Sequence, residues 1–439
     1  VVGYHIDAQL LEDTALNGNG LYFTARNANE LRYSIEWALQ DILRRISAGS
    51  AVAVVSTERG DDDRLFRGKF MPVDWDGFLE CYELPYEDVD SPLWEAGAIL
   101  SDRSPDSRRI FTALDRNVHN FTDGNAGDLA GPMDIVEIEE TRRVIQWARG
   151  EEIDGLRDRH GWRLGDIVHS TPVVVGAPSE FYATPDYQLF AAANSDREKT
   201  VYVGANDGML HAFSAETGAE TWAFVPETAL PYFAVMADSF YCHRYTVDQT
   251  VTVRDLQLHG VWRTVLVGGE REGGPGLFAL DVTDPQSPEV LWQVETPNGA
   301  PFPSQATLIR AGTTAVAVVG SGLDINDGDA WLYAYDLASG DLLGSILLSH
   351  RNNARNMATR PAALDRDVDG ASDILYLADL LGSVFRIDLN ASPYPAHWDV
   401  TEIFDGDAPI TATPALTFDE NGHVRVYVGT GAYLDEDDM

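Results

Sequence analysis

The 439-residue chain carries 70 acidic against 31 basic residues, a formal net charge of −39 at pH 7. So acidic a surface repels phosphate backbones and argues against a nucleic-acid partner. No run of about eighteen apolar residues is present to cross a membrane as a helix.

Glycine (38) and tryptophan (10) are both frequent, which suits short strands and tight turns better than a helical bundle. Lys69 and Lys199 are the only lysines. The acidity fits first a saline setting, where salt screens the self-repulsion, and is compatible with a surface that gathers divalent cations. Cys81 and Cys242 form no C-x-x-C motif, so a zinc ribbon or thioredoxin-like centre is excluded. They are either bridged to one another or separate thiols.

The chain opens on Val1-Val2-Gly3, not on an initiator, so an export signal is expected upstream. Asn27 followed by Glu30 reads as a helix cap. Leu31, Ile35, Leu39, Ile42 and Ile46 then recur at helical spacing until Gly49. From Ala51 the pattern changes to strands. Ala51–Val55 is the first, an acidic turn follows at 60–63, and Leu65-Phe66, Phe70-Met71 and 75–79 continue it. Ile138–Arg149 reads as a helix with Val144, Ile145 and Ala148 on one side.

An internal repeat then begins. An apolar strand ends in glycine at Val201–Gly204. A second strand follows at Met209–Phe213, then Thr217-Gly218 and Trp222. The plan returns at Val265–Gly269, Gly276–Asp281 and Trp292, and again at Val316–Gly320, Ala330–Asp336 and Ser339-Gly340. A fourth copy spans Ile374–Asp379 and Gly382–Asp388, and a fifth starts at Val424–Gly431. Each unit is a small antiparallel sheet that cannot bury its faces alone. Stacking the copies around an axis buries them, so the fold class is all-β and the architecture a β-propeller.

One segment carries metal chemistry. Asp365, Asp367, Asp369 and Asp373 fall at positions 1, 3, 5 and 9 of a loop with Gly370 at position 6. The carbonyl of Ala371, at position 7, offers a further oxygen. Calcium takes six to eight oxygen ligands, and this spacing supplies most of them. Two carboxylates about 4 Å apart repel by roughly 4 kcal/mol at an effective dielectric near 20, so the loop is expected to order around a cation. Position 12 holds Tyr376 where an EF-hand needs glutamate, and the flank reads as a strand. The pattern is closer to the hairpin calcium loops of integrin-type propellers. Asp324 to Asp329 is a looser acidic cluster, read as a solvated turn.

Other signals are weaker. Arg59-Gly60-Asp61 has the form of an integrin-binding tripeptide but sits in a turn. The glycine-rich stretch 268–276 lacks the Lys-Ser/Thr of a phosphate loop. His211 and His243 read as structural, and no hydrolase or kinase signature occurs.

Gly165–Pro172, Tyr202–Phe213, His243–Asp248, Trp262–Gly269 and Gly276–Pro285 together resemble the PilY-type adhesins of type IV pili. The resemblance implies a von Willebrand A-like domain followed by a modified quinoprotein-like propeller, taken as seven-bladed. Residues 1–50 look like the end of that first domain. Residues 51–439 look like the propeller, with a partly helical insertion around 133–160 and closing strands expected beyond Met439. The resemblance further implies a secreted, non-enzymatic protein at the pilus tip. Its expected partners are minor pilins and a host or abiotic surface, and its cofactor is Ca²⁺ held by Asp365, Asp367, Asp369 and Asp373, to which the Ala371 carbonyl read from the loop spacing adds, switching pilus extension against retraction. The alternatives are a calcium-dependent quinoprotein dehydrogenase and a carbohydrate-binding adhesive module without a pilus.

Overall fold

Apolar strands broken by glycine and polar turns pair with their sequence neighbours, and after a short parallel pair, Val2–Tyr4 with Phe23–Ala25, six sheets follow one another along the described residues. The computed structural model describes residues 64–432 except 73, 85–90, 181, 302 and 326–327, together with 2–4, 22–25, 31 and 49–55. The helix expected over 27–49, Leu31 excepted, and the Arg59-Gly60-Asp61 turn lie outside the described residues.

The first sheet comprises Gly49–Val55, Arg64–Met71, Asp76–Glu83 and Trp94–Glu95. The second is built on Val173–Val175, Thr200–Ala205, Met209–Ser214 and Glu220–Val225. Ile110–Leu114 joins its outer edge in parallel and Asn117–Asn120 follows, making six strands. The third sheet is Thr252–Leu258, Val261–Gly269, Gly276–Asp281 and Glu289–Glu295. The fourth is Thr307–Ala311, Thr314–Gly320, Asp329–Asp336 and Leu342–His350. The fifth is Ala362–Leu364, Ile374–Ala378, Ser383–Asp388 and Asp399–Asp405. Ala415–Phe418 and Val424–Tyr427 form the sixth.

The period-2 pattern of each strand explains how the sheets stack. In Gly276–Asp281, Phe278 and Leu280 pack with Trp222 and Phe224 of the second sheet. Their neighbours Leu277 and Ala279 point the other way and pack with Leu308, Val319 and Tyr335 of the fourth. Similar cores join the first sheet to the second, through Phe66, Leu79 and Trp94 against Val203 and Phe213, and the fourth to the fifth, through Val318 and Leu332 against Leu375 and Phe385. A smaller core joins the fifth to the sixth, where Val384 and Ile410 meet Val426.

The repeated tryptophans and turn glycines belong to one device. The indole N–H of Trp94 donates to the carbonyl of Ala215 in the next sheet, that of Trp222 to Pro285, and that of Trp292 to Leu337. Gly218 and Gly340 lie against Trp94 and Trp292, where an added Cβ would come within 2.6 Å of the indole. Both adopt a left-handed φ, +71° and +77°, which only glycine takes up freely. Trp94 places the first sheet in the same stack as the repeats recognised from sequence.

Near the axis, successive sheets are tied at a fixed offset. Gln249 Nε2 donates to Pro303 O, Thr252 Oγ1 to Ala306 O, Arg254 Nη1 to Leu308 O and Thr307 Oγ1 to Pro361 O, each across 54 residues. Glycine at the end of the second strand permits this approach. A Cβ on Gly204 would lie 2.2 Å from Val247 O, and one on Gly320 would lie 2.5 Å from Ala358 O.

The residues between the first and second sheets carry the helix Ile138–Arg149, over the span its periodicity predicts, ended by Gly150 at φ +114°. Val144, Ile145, Trp147 and Ala148 are buried. Cys81 is buried and Cys242 exposed, and the two are unbridged.

Replacing Gly320 by alanine forces backbone apart at the axis and is expected to destabilise the fold by about 1–3 kcal/mol. Gly127→Ala, where a Cβ meets nothing within 4 Å, is expected to be neutral or slightly stabilising. Urea denaturation of the two variants checks the contrast.

Candidate metal loop and a buried charge cluster

The connection between the innermost strand and the next one is a two-residue turn in the third sheet, His259-Gly260, and in the fourth, Gly312-Thr313. In the fifth sheet the same connection runs from Asp365 to Asp373, between Leu364 and Ile374. A short turn has been replaced by a loop long enough to fold back on itself.

The backbone of that loop turns its N–H groups inward onto carboxylates. Asp365 Oδ1 accepts from Val368 N at 2.7 Å and its Oδ2 from Gly370 N at 2.7 Å. Asp373 Oδ2 accepts from Arg366 N at 2.7 Å. Gly370 takes φ +88°, the left-handed turn that position 6 requires. Val368, also at positive φ (+60°), projects its side chain into solvent.

Oxygens of Asp365, Asp367 and Asp373 lie within 4.8 Å of one another. Among the described residues this is the one place where three potential metal-binding side chains converge. Asp369 is not in that group. Its Oδ1 accepts from Ala371 N at 2.6 Å and lies 3.4 Å from Arg310 Nη2, while its carbonyl accepts from the same Nη2 at 2.7 Å. Tyr376 is buried in its strand. Asn326 and Asp327 of the looser acidic cluster lie outside the described residues; Asp329 bonds His350 Nδ1 at 2.6 Å.

The loop is seated on the neighbouring fourth sheet. Ser372 N donates to Arg310 O of that sheet at 2.8 Å, while within the fifth sheet Leu389 N donates to Asp373 O at 2.8 Å. A Cβ on Gly370 would come within 2.9 Å of the Tyr182 ring, which packs against Trp262. Arg310 and Tyr182 carry no local sequence signal for this role, because each reaches the loop only through stacking of the sheets. The donor set is all hard oxygen, on an exposed loop with glycine at the turn, which fits calcium and not a soft transition metal.

The histidines singled out in the sequence are bound into the scaffold. His211 is buried, with Nδ1 2.9 Å from Glu220 and Nε2 3.1 Å from Asp207. Glu220 also receives Arg108 in a two-point pair, Nε at 2.9 Å and Nη2 at 2.8 Å. Burial disfavours the charged imidazole, yet the Asp207 and Glu220 carboxylates outweigh it and push His211 up to about 9. Burial likewise opposes the Glu220 carboxylate, and Arg108 with His211 overcomes it and holds that group well below the usual carboxylate range. Arg108 and Arg149 extend this cluster to backbone carbonyls of the segment between the first and second sheets, Arg149 O and Phe121 O among them. His243 Nε2 bonds Asp166 at 2.8 Å and stacks on Trp75. Both roles are structural.

The geometry defines a β-propeller with an aspartate loop set into one of its sheets. The family model for the PilY1 beta-propeller domain matches residues 164–439. The chain is 32% identical to the type IV pilus biogenesis factor PilY1 of Pseudomonas aeruginosa (strain PAO1), over 97% of this chain and 42% of that protein. It is 31% identical to a type IV pilus biogenesis factor PilY1 homolog of Xylella fastidiosa (strain Temecula1), over 97% and 36%. The crystal structure of the Pseudomonas aeruginosa PilY1 C-terminal domain superimposes with a TM-score of 0.53 at 29% identity, covering 60% of each chain. The chain belongs to the PilY1 β-propeller family. It spans less than half the length of these curated relatives.

The His211 pair gives a pH dependence with a definite sign. A histidine raised in the folded state stabilises fully below its unfolded value near 6.5, and the contribution is lost as pH rises through about 9. Unfolding free energy is expected to fall by on the order of 3 kcal/mol between pH 6.5 and 9.5. His211→Gln, which cannot titrate, should flatten that part of the profile in denaturant titrations.

Proposed function

We propose that this chain is the calcium-responsive propeller of a type IV pilus assembly factor and adhesin, acting outside the cell at the pilus tip through minor pilins and surfaces. The convergence of Asp365, Asp367 and Asp373 on the 365–373 loop carries the calcium part of this reading. The names of the relatives support the pilus part and favour a binding role over an enzymatic one.

Asp365, Asp367 and Asp373 are the proposed ligands, with Asp369 and the Ala371 carbonyl completing the set. Bound calcium supplies the positive charge that lets these carboxylates stay together at neutral pH. The chain's own residues supply the rest. Asp365 and Asp373 organise the backbone turn, while Arg310 and Tyr182 seat it against the fourth sheet and the segment after Val175. A change in loop order is thereby passed to neighbouring sheets on one face of the propeller. That face is the proposed docking surface whose state favours pilus extension or permits retraction.

Calcium at about 100 times its dissociation constant is expected to stabilise the protein by about 2.7 kcal/mol. Asp365→Asn should weaken calcium affinity by about tenfold or more. Asp369→Asn should cost less, because its carboxylate lies outside the converged group. Calorimetry and calcium-dependent melting measure both. An Asp365→Asn protein that melts like the wild type at every calcium level overturns the ion assignment. The pilus role is tested separately, by counting surface pili and measuring twitching in cells carrying the full-length protein with Asp365→Asn. Unchanged piliation and motility count against the regulatory role even where calcium binding is confirmed.

A further inference from the structure

A second polar site lies at the axis. The segments leading into the innermost strands of the second to sixth sheets line a solvent-open cavity of about 330 Å³. Thr250, Gln305, Thr359 and Thr413 contribute hydroxyls and an amide, and Arg271 and Arg360 contribute two guanidinium groups. Among the described residues no aspartate or glutamate lines it, although the chain carries 70 of them.

The two arginines are in different states. Arg271 is matched by acid, with Glu272 Oε1 at 2.9 Å and Asp248 Oδ2 at 3.7 Å. Arg360 meets only neutral acceptors: Nη1 donates to Gln305 Oε1 at 2.7 Å and Nε to Thr307 Oγ1 at 3.3 Å. Its Nη2 bonds no described residue. Burial lowers the pKa of this guanidinium, and no neighbouring carboxylate acts in the opposite sense. A partly desolvated cation without a counter-ion is costly, and a carboxylate received by its two-pronged edge removes that cost.

The fork is also held in place. Gln305 donates through Nε2 to Val251 O at 3.2 Å, and Thr307 Oγ1 donates to Pro361 O at 2.6 Å. Both acceptors of Arg360 are thus fixed by the axial bonds between sheets, so the guanidinium is oriented before any ligand arrives. Such preorganisation lowers the entropy lost on binding. The volume sits at the lower end of small-molecule pockets, enough for roughly ten non-hydrogen atoms.

We propose that the axial cavity binds a small organic carboxylate, its carboxylate group received by Arg360 and its other polar groups by the hydroxyls and amide of the wall. The site is distinct from the 365–373 loop and independent of calcium. The net charge of −39 disfavours general uptake of anions, so binding that depends on Arg360 reports this cavity.

The test is calorimetry of the full 439-residue chain with sodium succinate and sodium glucuronate, against sodium chloride at matched ionic strength, with and without calcium. At least one of the two carboxylates is expected to bind in both calcium states. Arg360→Gln should weaken that binding by about tenfold or more, and Arg360→Lys should restore it only in part, since lysine lacks the fork. Thr413→Leu, which fills the cavity without touching the Arg360 bonds, should weaken binding with Arg360 intact and serves if the arginine variant fails to fold. No binding up to about 10 mM, equal affinity in the wild type and a folded Arg360→Gln protein, or binding of inorganic phosphate without either carboxylate overturns the proposal.

Discussion

The structure depends on how closely one sheet approaches the next at the axis. Gly204 and Gly320 leave room for the carbonyls of Val247 and Ala358. Side chains at the starts of the innermost strands then bond to backbone across a constant 54 residues. Short side chains such as Thr252 and Thr307 reach only because the backbones are close. Between the second and third sheets the corresponding offset is 79, from His169 N to Asp248 and from Thr171 N to Thr250. That second sheet also carries the excursion between Val175 and Thr200, with its helix Pro185–Ala193. The axial bonds are kept while the periphery varies, as expected when stability resides in contacts between repeats.

Fixing the axis fixes what lies on either side of it. The turns after each innermost strand come to equivalent positions, so nine residues in place of two in the fifth sheet become a loop on a rigid mount. Loops positioned in this way are where binding residues concentrate. The same constraint holds Gln305 and Thr307 around Arg360, so the aspartate loop and the axial cavity are both products of the axial bonds, one acidic and exposed, the other lined by arginine and neutral polar groups.

Charge is divided accordingly. The acidic excess is tolerated at the surface, where water and salt screen it. Inside, cations are arginines that bridge several carbonyls at once: Arg149 donates to Phe121, Pro105 and Arg108 carbonyls, and Arg159 lies over the Trp147 ring at 4.3 Å. The planar five-donor guanidinium suits that task and the lysine ammonium does not. The buried Arg108–Glu220–His211–Asp207 group sets two cations against two anions, and so fastens the outer strands and helices to the second sheet without a net buried charge.

The sequence by itself determined the features whose physics is local. Alternation along Met209–Ser214 and Gly276–Asp281, the glycines that close the apolar strands at Gly204, Gly269 and Gly320, and the helix Ile138–Arg149 were legible because strand and helix periods are written in consecutive residues. The aspartate loop was legible for the same reason, since a single hairpin brings positions 1, 3 and 9 together. Tertiary structure alone decided the rest. It turned Asp369 toward Arg310, placed Tyr182 beneath Gly370, set Trp94 into the series of Trp222 and Trp292, and left Arg360 facing a cavity without acid. Each of these depends on a contact between different sheets, across separations that no local period records, and becomes defined only when the sheets stack and the axis draws their backbones together.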